Sequence, residues 1–342
     1  MDFGIIQNFQ KGFRKMDLLK AILILVIGFV LLIKGADFFV EGSSSVAKKF
    51  HVPAMLIGMT IVAMGTSLPE CAVSVTASLA NNNSLAVSNV IGSNIFNLMV
   101  VCGACALFTP LTIRQDTLKK EFPLSIICAA LMLVLGYIGM TLGHIDGIIF
   151  LVLFVGYLLW MIQSAKKARA TALSDPAQSG QIEQAEFVEE NIAILPTWKS
   201  LVFIIGGMIA IKFGGDFVVD GASSIASSMG LSQTLIGLTI VALGTSLPEL
   251  ATSLIAAKKG EVDMALGNVI GSDIFNILFV LGIATAISPI SFLMENVIDI
   301  ILLIVMSVIV LAFAWSKQQI NRKEGILMLL MYAAYMVYIC VR

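Results

Sequence analysis

The chain has 342 residues, of which 58% are hydrophobic and only 13% are charged. A water-soluble domain could not cover its surface with so few charged side chains, so the expected solvent is a lipid bilayer and a soluble enzyme is excluded. The formal net charge of -1, without a concentrated basic face, also excludes a nucleic-acid-binding protein.

Apolar runs long enough to cross a bilayer alternate with polar stretches along the chain. They predict an all-α integral membrane protein with ten transmembrane helices. The runs cover residues 18–38, 54–80, 85–108, 122–142, 147–165, 198–222, 234–257, 262–286, 292–314 and 324–341. The predicted organisation has four parts, which are an N-terminal tail (1–16), a first five-helix repeat (17–165), a flexible cytoplasmic linker (166–197) and a second five-helix repeat (198–342).

Positively charged side chains are distributed unevenly between the two sides of the predicted bundle. One set of alternate connections carries fourteen Lys and Arg residues, whereas the other side carries only the four in the basic N-terminal tail and Arg342. The excess of basic residues on cytoplasmic loops predicts that the first set faces the cytoplasm. Both termini are then expected outside, and the basic tail is the one feature that opposes this orientation.

A long internal repeat relates the two halves of the chain. Residues 37–97 align with residues 216–276 at a constant offset of 179 and without a gap, and 32 of the 61 aligned pairs are identical. Each half holds five predicted spans, so equivalent helices must cross the membrane in opposite directions. Inverted repeats of this kind are typical of secondary transporters, which bind their substrates between the repeats near the bilayer midplane.

The motif Gly65-Thr66-Ser67-Leu68-Pro69-Glu70 lies in the middle of the second span and recurs as Gly244-Thr245-Ser246-Leu247-Pro248-Glu249 in the seventh. Glycine and proline predict that each of these helices stops and restarts there, and we expect spans three and eight to be broken as well. Carbonyl, hydroxyl and carboxylate oxygens at one depth suit Ca²⁺, Na⁺ or Mg²⁺ better than a transition metal.

Two interpretations of the motif glutamates are open. An ionised glutamate inside a membrane span is costly and usually marks an ion pathway, which favours a cation site on Glu70 and Glu249. Alternatively, Ser67 with Glu70 and Ser246 with Glu249 form capping boxes at the starts of the restarted helices. The membrane location favours the first interpretation.

A second pair of motifs places polar side chains at helical spacing. Ser93 and Asn97 are four residues apart, as are Ser272 and Asn276, so each pair presents oxygens on one face of a helix. These side chains either bind the ion or join neighbouring helices by hydrogen bonds. Their repetition beside the glutamate motif favours ligands.

Other acids inside the predicted spans are explained more simply. Asp273 is the one unmatched acid in the core of the repeat, and it either tunes the site or hydrogen-bonds a neighbouring helix end, the second being favoured. The spacings of Lys34 with Asp37 and of Lys212 with Asp216 predict two local ion pairs.

On these motifs the sequence resembles the cation/Ca²⁺ exchanger superfamily, most closely the prokaryotic sodium/calcium exchangers. The resemblance implies that Glu70 and Glu249 are the central Ca²⁺-binding carboxylates and that Thr66 and Thr245 coordinate through backbone carbonyls. It also implies two further groups, which are contributors to flanking Na⁺ sites (Ala63, Ser67, Ser93, Ala242, Ser246 and Ser272) and inward-facing amides (Asn97 and Asn276). Some members carry aspartate where this chain has Asn276, so the coupling ion stays open.

The predicted function is secondary active antiport of Ca²⁺ against Na⁺ by alternating access, with both ions competing for the glutamate site. The resemblance suggests that the first and sixth helices slide over a core of spans 2, 3, 7 and 8. A Ca²⁺/H⁺ or K⁺-assisted exchanger is the close alternative, and a passive cation channel is an alternative from another class. The expected location is the inner membrane of a bacterial or archaeal cell, and the expected partners are the lipid bilayer and the transported ions, Ca²⁺ and Na⁺, with H⁺ or K⁺ as the alternative coupling ions. We expect no cofactor, no nucleic acid and no obligate protein partner.

Overall fold

The computed structural model describes residues 3–80, 83–174, 194–229 and 242–341, and in these ranges the chain is almost entirely helical. The helices are α1 (Phe3–Phe50), α2a (Ala54–Thr66), α2b (Leu68–Leu79), α3 (83–108), α4 (Thr117–Met140), α5 (His144–Ser174), α6 (Thr197–Ser228), α7a (Ala242–Gly244), α7b (Leu247–Lys258), α8 (Val262–Ile287), α9 (Met294–Lys317) and α10 (Arg322–Val341). Four two-residue strands are β1 (Leu111–Thr112), β2 (Thr141–Leu142), β3 (Ile290–Ser291) and β4 (Gln319–Ile320).

The length and hydropathy of these helices define an all-helical membrane protein. Within the described ranges, eight helices are long and apolar enough to cross a bilayer, and the bent pair of α2a and α2b makes a ninth candidate. The seventh predicted span, 234–257, begins among residues 230–241, which lie outside the described ranges. Its described part is α7a and α7b.

The helix interruptions occur in α2 and α7 but not in α3 and α8. The axes of α2a and α2b differ by 48° at a break centred on Ser67. In contrast, α3 and α8 continue through the π-helical turns Asn97–Val101 and Asn276–Leu281. The expectation that spans three and eight are broken is therefore wrong. Neither helix contains a proline, and a π-helical turn accommodates an extra residue without ending the helix.

The first and fifth helices extend beyond the predicted spans. Helix α1 begins at Phe3 and so includes most of the segment predicted as a tail. Helix α5 continues to Ser174 and so includes the first nine residues of the predicted linker, 166–174. The predicted linker between 175 and 193 lies outside the described residues.

Helices α3 and α8 form the centre of the bundle. In the most apolar window of each helix, 78% of the residues are buried, compared with 22% in α1. The hydrophobic side chains that α1 exposes, such as Leu23, Val26 and Val30, are suited to contact with lipid because lipid tails are as apolar as these side chains.

The short strands connect the two halves of the chain at both ends of the bundle. Strand β1 pairs antiparallel with β4, and β2 pairs antiparallel with β3. Helix α4 runs from β1 to β2, whereas α9 runs from β3 to β4. Helices α4 and α9, which hold equivalent positions in the two halves, are therefore antiparallel to one another.

Helices α1 and α6 pack against each other along a seam of glycines. The seam contains Gly28, Gly35 and Gly42 of α1 and Gly207, Gly214 and Gly221 of α6, each set spaced by seven residues. A Cβ atom on Gly28 would lie 2.7 Å from the Val218 backbone nitrogen, and one on Gly42 would lie 2.8 Å from the Ser200 carbonyl oxygen. Later glycines of α1 contact earlier residues of α6, so the two helices are antiparallel. The short distances to backbone atoms show that the helices are in backbone contact.

Ion pairs outside this seam agree with only one of the two predicted pairs. Lys212 and Asp216 form the predicted pair. The Lys34–Asp37 prediction is wrong, because Asp37 Oδ1 lies 2.7 Å from Lys259 Nζ instead. Lys259 follows α7b, so tertiary packing brings a distant cation to α1 and this pair displaces the local one.

Candidate ion-binding site

The breaks in α2 and α7 place the two motif glutamates in equivalent positions at the starts of α2b and α7b. Pro69 lies in the first turn of α2b and Pro248 in the first turn of α7b. Proline has no N–H group, so the carbonyl four residues earlier in each motif loses its usual helical donor. Glu70 and Glu249 follow directly and have no exposed surface.

Each glutamate is bound by the serine of the opposite repeat. Ser67 Oγ donates to Glu249 Oε1 at 2.7 Å, and Ser246 Oγ donates to Glu70 Oε1 at 3.1 Å. The two bonds are related by the same offset of 179 residues as the sequence repeat. The carboxyl groups of Glu70 and Glu249 consequently face one shared interface between the repeats.

The serines do not act as helix caps. Ser67 occupies the N-cap position of α2b and Ser246 that of α7b, yet neither side chain makes a capping hydrogen bond. Since both hydroxyl groups are directed to the glutamate across the interface, the capping-box alternative does not account for the motif.

Four buried oxygen atoms at this interface lack a hydrogen-bond donor within the described part of the chain. They form two equivalent pairs, Glu70 Oε2 with Glu249 Oε2 and Asn97 Oδ1 with Asn276 Oδ1. A buried carboxylate or amide oxygen without a partner is costly. A cation removes this cost, so the arrangement is suited chemically to a hard ion that prefers oxygen ligands.

The composition of the site also argues against a transition metal. Within the described part of the chain, no three His, Cys, Asp or Glu side chains are grouped so that they could hold a metal ion. The cluster instead combines two carboxylates with amide and hydroxyl oxygens, which are ligands for Ca²⁺ and Na⁺ rather than for zinc or copper.

The two inward-facing amides are held by a crossed pair of hydrogen bonds between α3 and α8. Asn97 Nδ2 donates to Asp273 Oδ1 at 3.4 Å, and Asn276 Nδ2 donates to Asn94 Oδ1 at 3.1 Å. The favoured sequence interpretation of Asp273, a bond to a neighbouring helix end, is wrong. Its carboxylate accepts from a side chain in the middle of α3, where Asn97 begins the π-helical turn.

A third set of polar contacts was missed by the sequence reasoning. Asn89 Nδ2 donates to Ser74 Oγ at 3.0 Å and to the Glu70 carbonyl at 3.3 Å. In the second repeat, Asn268 Nδ2 contacts Ser253 Oγ at 2.9 Å and the Glu249 carbonyl at 3.5 Å. These amides hold each glutamate-bearing helix against α3 or α8. Asn89 is repeated as Asn268 and Ser74 as Ser253, and this identity between the repeats was the sequence signal that could have revealed the contacts.

The remaining predicted site residues differ in how closely they are connected to the glutamates. Ser93 Oγ lies 3.2 Å from Ser246 Oγ, within hydrogen-bond distance, and therefore belongs to the cluster. Thr66 Oγ1 donates to Asn268 Oδ1 at 3.1 Å, while the Ala63 carbonyl accepts from the Ser67 amide at 3.0 Å. The hydroxyls of Ser272 and Thr245 are buried without a partner in the described region. Ala242 begins α7a, and its side chain lies outside what is described.

Comparisons with known proteins agree with this fold and this set of motifs. The family model described as "Sodium/calcium exchanger protein" matches residues 20–163 and 199–341. The chain is 31% identical to the sodium/calcium exchanger MaX1 of Methanosarcina acetivorans, over 92% of this chain and 97% of that protein. It is 37% identical to the inner membrane protein YrbG of Escherichia coli (strain K12), over 80% of this chain and 81% of that protein.

Solved structures give the same result. A structure of the sodium-calcium exchanger NCX_Mj, soaked with Na⁺ and Sr²⁺, superposes with a TM-score of 0.79 at 32% identity and covers 94% of this chain and 98% of that one.

The fold and the oxygen-rich interface are those of a membrane cation transporter rather than an enzyme. The chain belongs to the sodium/calcium exchanger protein family. As a member of this family it is an integral membrane cation/Ca²⁺ antiporter, with homologues in bacteria and archaea.

Proposed function

We propose that this protein exchanges Ca²⁺ for Na⁺ by alternating access, and that the two ions compete for one site built on Glu70 and Glu249. The observation that carries the proposal is the crossed pair of serine–glutamate hydrogen bonds. Each bond occupies one carboxylate oxygen and leaves the other buried without a donor in the described region. Two such oxygens on a shared interface are suited to one divalent ion.

The proposed ligands are oxygens from both repeats. Glu70 and Glu249 would hold Ca²⁺ centrally, with the backbone carbonyls of Thr66 and Thr245. Flanking Na⁺ sites would use Ala63, Ser67, Ser93, Ala242, Ser246 and Ser272, and the inward-facing oxygens would come from Asn97 and Asn276. The buried side-chain oxygens among these groups that lack a donor in the described region support this assignment, because a cation is the partner that they need. They belong to Glu70, Glu249, Asn97, Asn276, Thr245 and Ser272.

Charge neutrality supplies the coupling. Two ionised glutamates carry a charge of -2, which one Ca²⁺ or two Na⁺ neutralise. A dry site inside the bilayer disfavours net charge. The loaded protein can therefore change the side that it faces, whereas the empty protein cannot, and exchange follows from competition. A third Na⁺ on neutral ligands would make this form net positive, and the exchange would then depend on membrane voltage.

We further propose ten spans arranged as two inverted five-helix repeats. The antiparallel arrangement of α4 and α9, set by the two strand pairs, supports the inversion. The antiparallel contact of α1 and α6 along their glycine seam supports it independently. Both are pairs of helices in equivalent positions of the sequence repeat.

The proposed moving unit consists of α1 and α6, which would slide over a core of α2, α3, α7 and α8. The low burial of α1 and the high burial of α3 and α8 support this division. The distribution of basic residues supports an orientation with both termini outside and the connection between repeats in the cytoplasm. The location would be the inner membrane of a prokaryotic cell.

The test is Ca²⁺ uptake by proteoliposomes under an imposed Na⁺ gradient with the pH clamped, compared with imposed K⁺ and H⁺ gradients. Uptake driven by Na⁺ alone supports the proposal. Uptake that is driven only by a H⁺ gradient, or only when K⁺ is present, would show that Na⁺ is not the coupling ion. Ca²⁺ flux without any counter-ion would indicate a channel.

The residue-level test replaces each glutamate by its neutral isostere. Glu70→Gln or Glu249→Gln is expected to abolish Ca²⁺ uptake while the protein remains extractable in folded form. Glu121→Gln is the matched control, because Glu121 is also a buried carboxyl with an unpartnered oxygen but lies on α4. Retained uptake in both motif variants would refute the assigned site.

A further inference from the structure

The two repeats differ at one buried position beside the site. Asp273 of α8 corresponds to Asn94 of α3 at the offset of 179 residues, and their exposed fractions are 4% and 1%. The carboxylate makes no salt bridge in the part of the chain that the structure describes. A buried carboxylate without a basic partner is costly, and inside a membrane protein it usually serves an ion or proton pathway.

The hydrogen bonds of Asp273 act directly on a proposed ligand. Asn97 directs its Nδ2 to Asp273 Oδ1, and this leaves Asn97 Oδ1 as the atom free to face the ion. The NH₂ group and the carbonyl oxygen of an amide point in different directions from the same carbon. The residue that accepts the hydrogen bond from the NH₂ group therefore sets the direction of the oxygen. Asn94 performs the same task for Asn276.

The two orienting residues nevertheless differ in charge. Asn94 is neutral, and its own amide is fixed by a 3.1 Å bond from Nδ2 to the Asp273 carbonyl. An ionised Asp273 can only accept, so it admits one orientation of Asn97 and adds a negative charge on that side of the interface. A third carboxylate therefore lies beside the ion-binding region, one helical turn before Asn276.

We propose that Asp273 is a positioning residue that orients the Asn97 carbonyl oxygen and, by its charge, raises the preference of the site for Ca²⁺ over Na⁺. This inference rests on the proposed function of the same site. The attraction between a fixed charge and an ion is proportional to the charge of the ion, so it favours a divalent ion twice as strongly in free energy as a monovalent one.

The first experiment is Asp273→Asn, which keeps an acceptor oxygen for Asn97 and removes the charge. We expect the half-saturating Ca²⁺ concentration to rise about ten-fold, and that for Na⁺ to rise about three-fold because half the free energy is lost. The swap variant, Asp273→Asn with Asn94→Asp, moves the carboxylate to the equivalent position and is expected to restore Ca²⁺ half-saturation to within about three-fold of the original.

Binding of radioactive Ca²⁺ and its displacement by Na⁺ are measured on the purified full chain in detergent, in parallel with uptake. Unchanged Ca²⁺ and Na⁺ half-saturation in Asp273→Asn overturns the inference, as does an equal loss for both ions that the swap does not rescue. If the single variant cannot be purified, Asn94→Asp decides, because an added charge must tighten Ca²⁺ binding relative to Na⁺ and an unchanged ratio overturns the inference.

Failure of the proposed function is detected separately. It would appear as absent Na⁺-driven uptake in the unmodified protein, or as retained uptake in both glutamate variants, whereas the binding ratio reports on Asp273 alone.

Discussion

The glycine seam between α1 and α6 predicts that a single methyl group destabilises the protein at one glycine of α6 and not at another. A Cβ atom on Gly214 would lie 2.5 Å from the Leu32 backbone nitrogen and 2.9 Å from the Gly28 carbonyl oxygen. Backbone atoms cannot rotate away as a side chain can, so Gly214→Ala must push the helices apart. A Cβ atom on Gly206, which is on the exposed side of α6, would meet nothing within 4 Å among the described residues.

The magnitude follows from these two environments. Overpacking of a close contact costs about 1–3 kcal/mol, which is the expected loss for Gly214→Ala. Replacing glycine by alanine inside a helix without a clash gains about 0.5–1 kcal/mol, which is the expected gain for Gly206→Ala. The two variants should therefore differ in free energy of unfolding by about 1.5–4 kcal/mol.

The measurement is thermal unfolding of both variants in detergent, with Na⁺-driven Ca²⁺ uptake after reconstitution. We expect Gly214→Ala to unfold at a lower temperature than the unmodified protein and to transport more slowly, while Gly206→Ala matches or exceeds it. Equal stability of the two variants, within about 0.5 kcal/mol, would refute direct backbone contact between α1 and α6.

Three further variants test individual contacts. Ser67→Ala removes the donor to Glu249 Oε1 and should weaken Ca²⁺ binding about ten-fold; unchanged binding would contradict the crossed arrangement. Tyr157→Phe removes a buried hydrogen bond to the Met59 carbonyl and should cost about 1 kcal/mol in chemical unfolding, whereas exposed Tyr137→Phe should cost nothing measurable. Lys259→Gln breaks a partly exposed ion pair and should cost less than about 1 kcal/mol, a difference that should vanish in high salt; a larger loss that persists in high salt would contradict this.

The sequence repeat was sufficient to predict where the two glutamate-bearing helices are interrupted. Glycine and proline at fixed spacing before the glutamate in two equivalent spans predicted the breaks in α2 and α7. The flexibility of glycine and the missing N–H group of proline are local properties of the backbone, so the sequence alone reveals them. The same reasoning failed for α3 and α8. Their π-helical turns, Asn97–Val101 and Asn276–Leu281, contain no proline or glycine, so the sequence carries no signal for them.

Contacts between residues far apart in the chain could not be predicted from the sequence. Ser67 and Glu249 are 182 positions apart, and the local alternative of a capping box used the same side chains. Asp37 had a correctly spaced cation in Lys34 and bound Lys259 instead. Spacing along a helix describes which partners are possible, and packing between helices selects among them.

The amino-acid sequence by itself determined that this is a helical membrane protein, that its halves are homologous, and that two buried glutamates occupy equivalent positions. These properties follow from hydropathy, repetition and backbone chemistry, which act over short distances along the chain. Only the tertiary structure decided that each serine binds the opposite glutamate and that Asp273 accepts a hydrogen bond from Asn97. Such contacts join residues that the chain brings together from far apart, so their geometry exists only after the two repeats have packed.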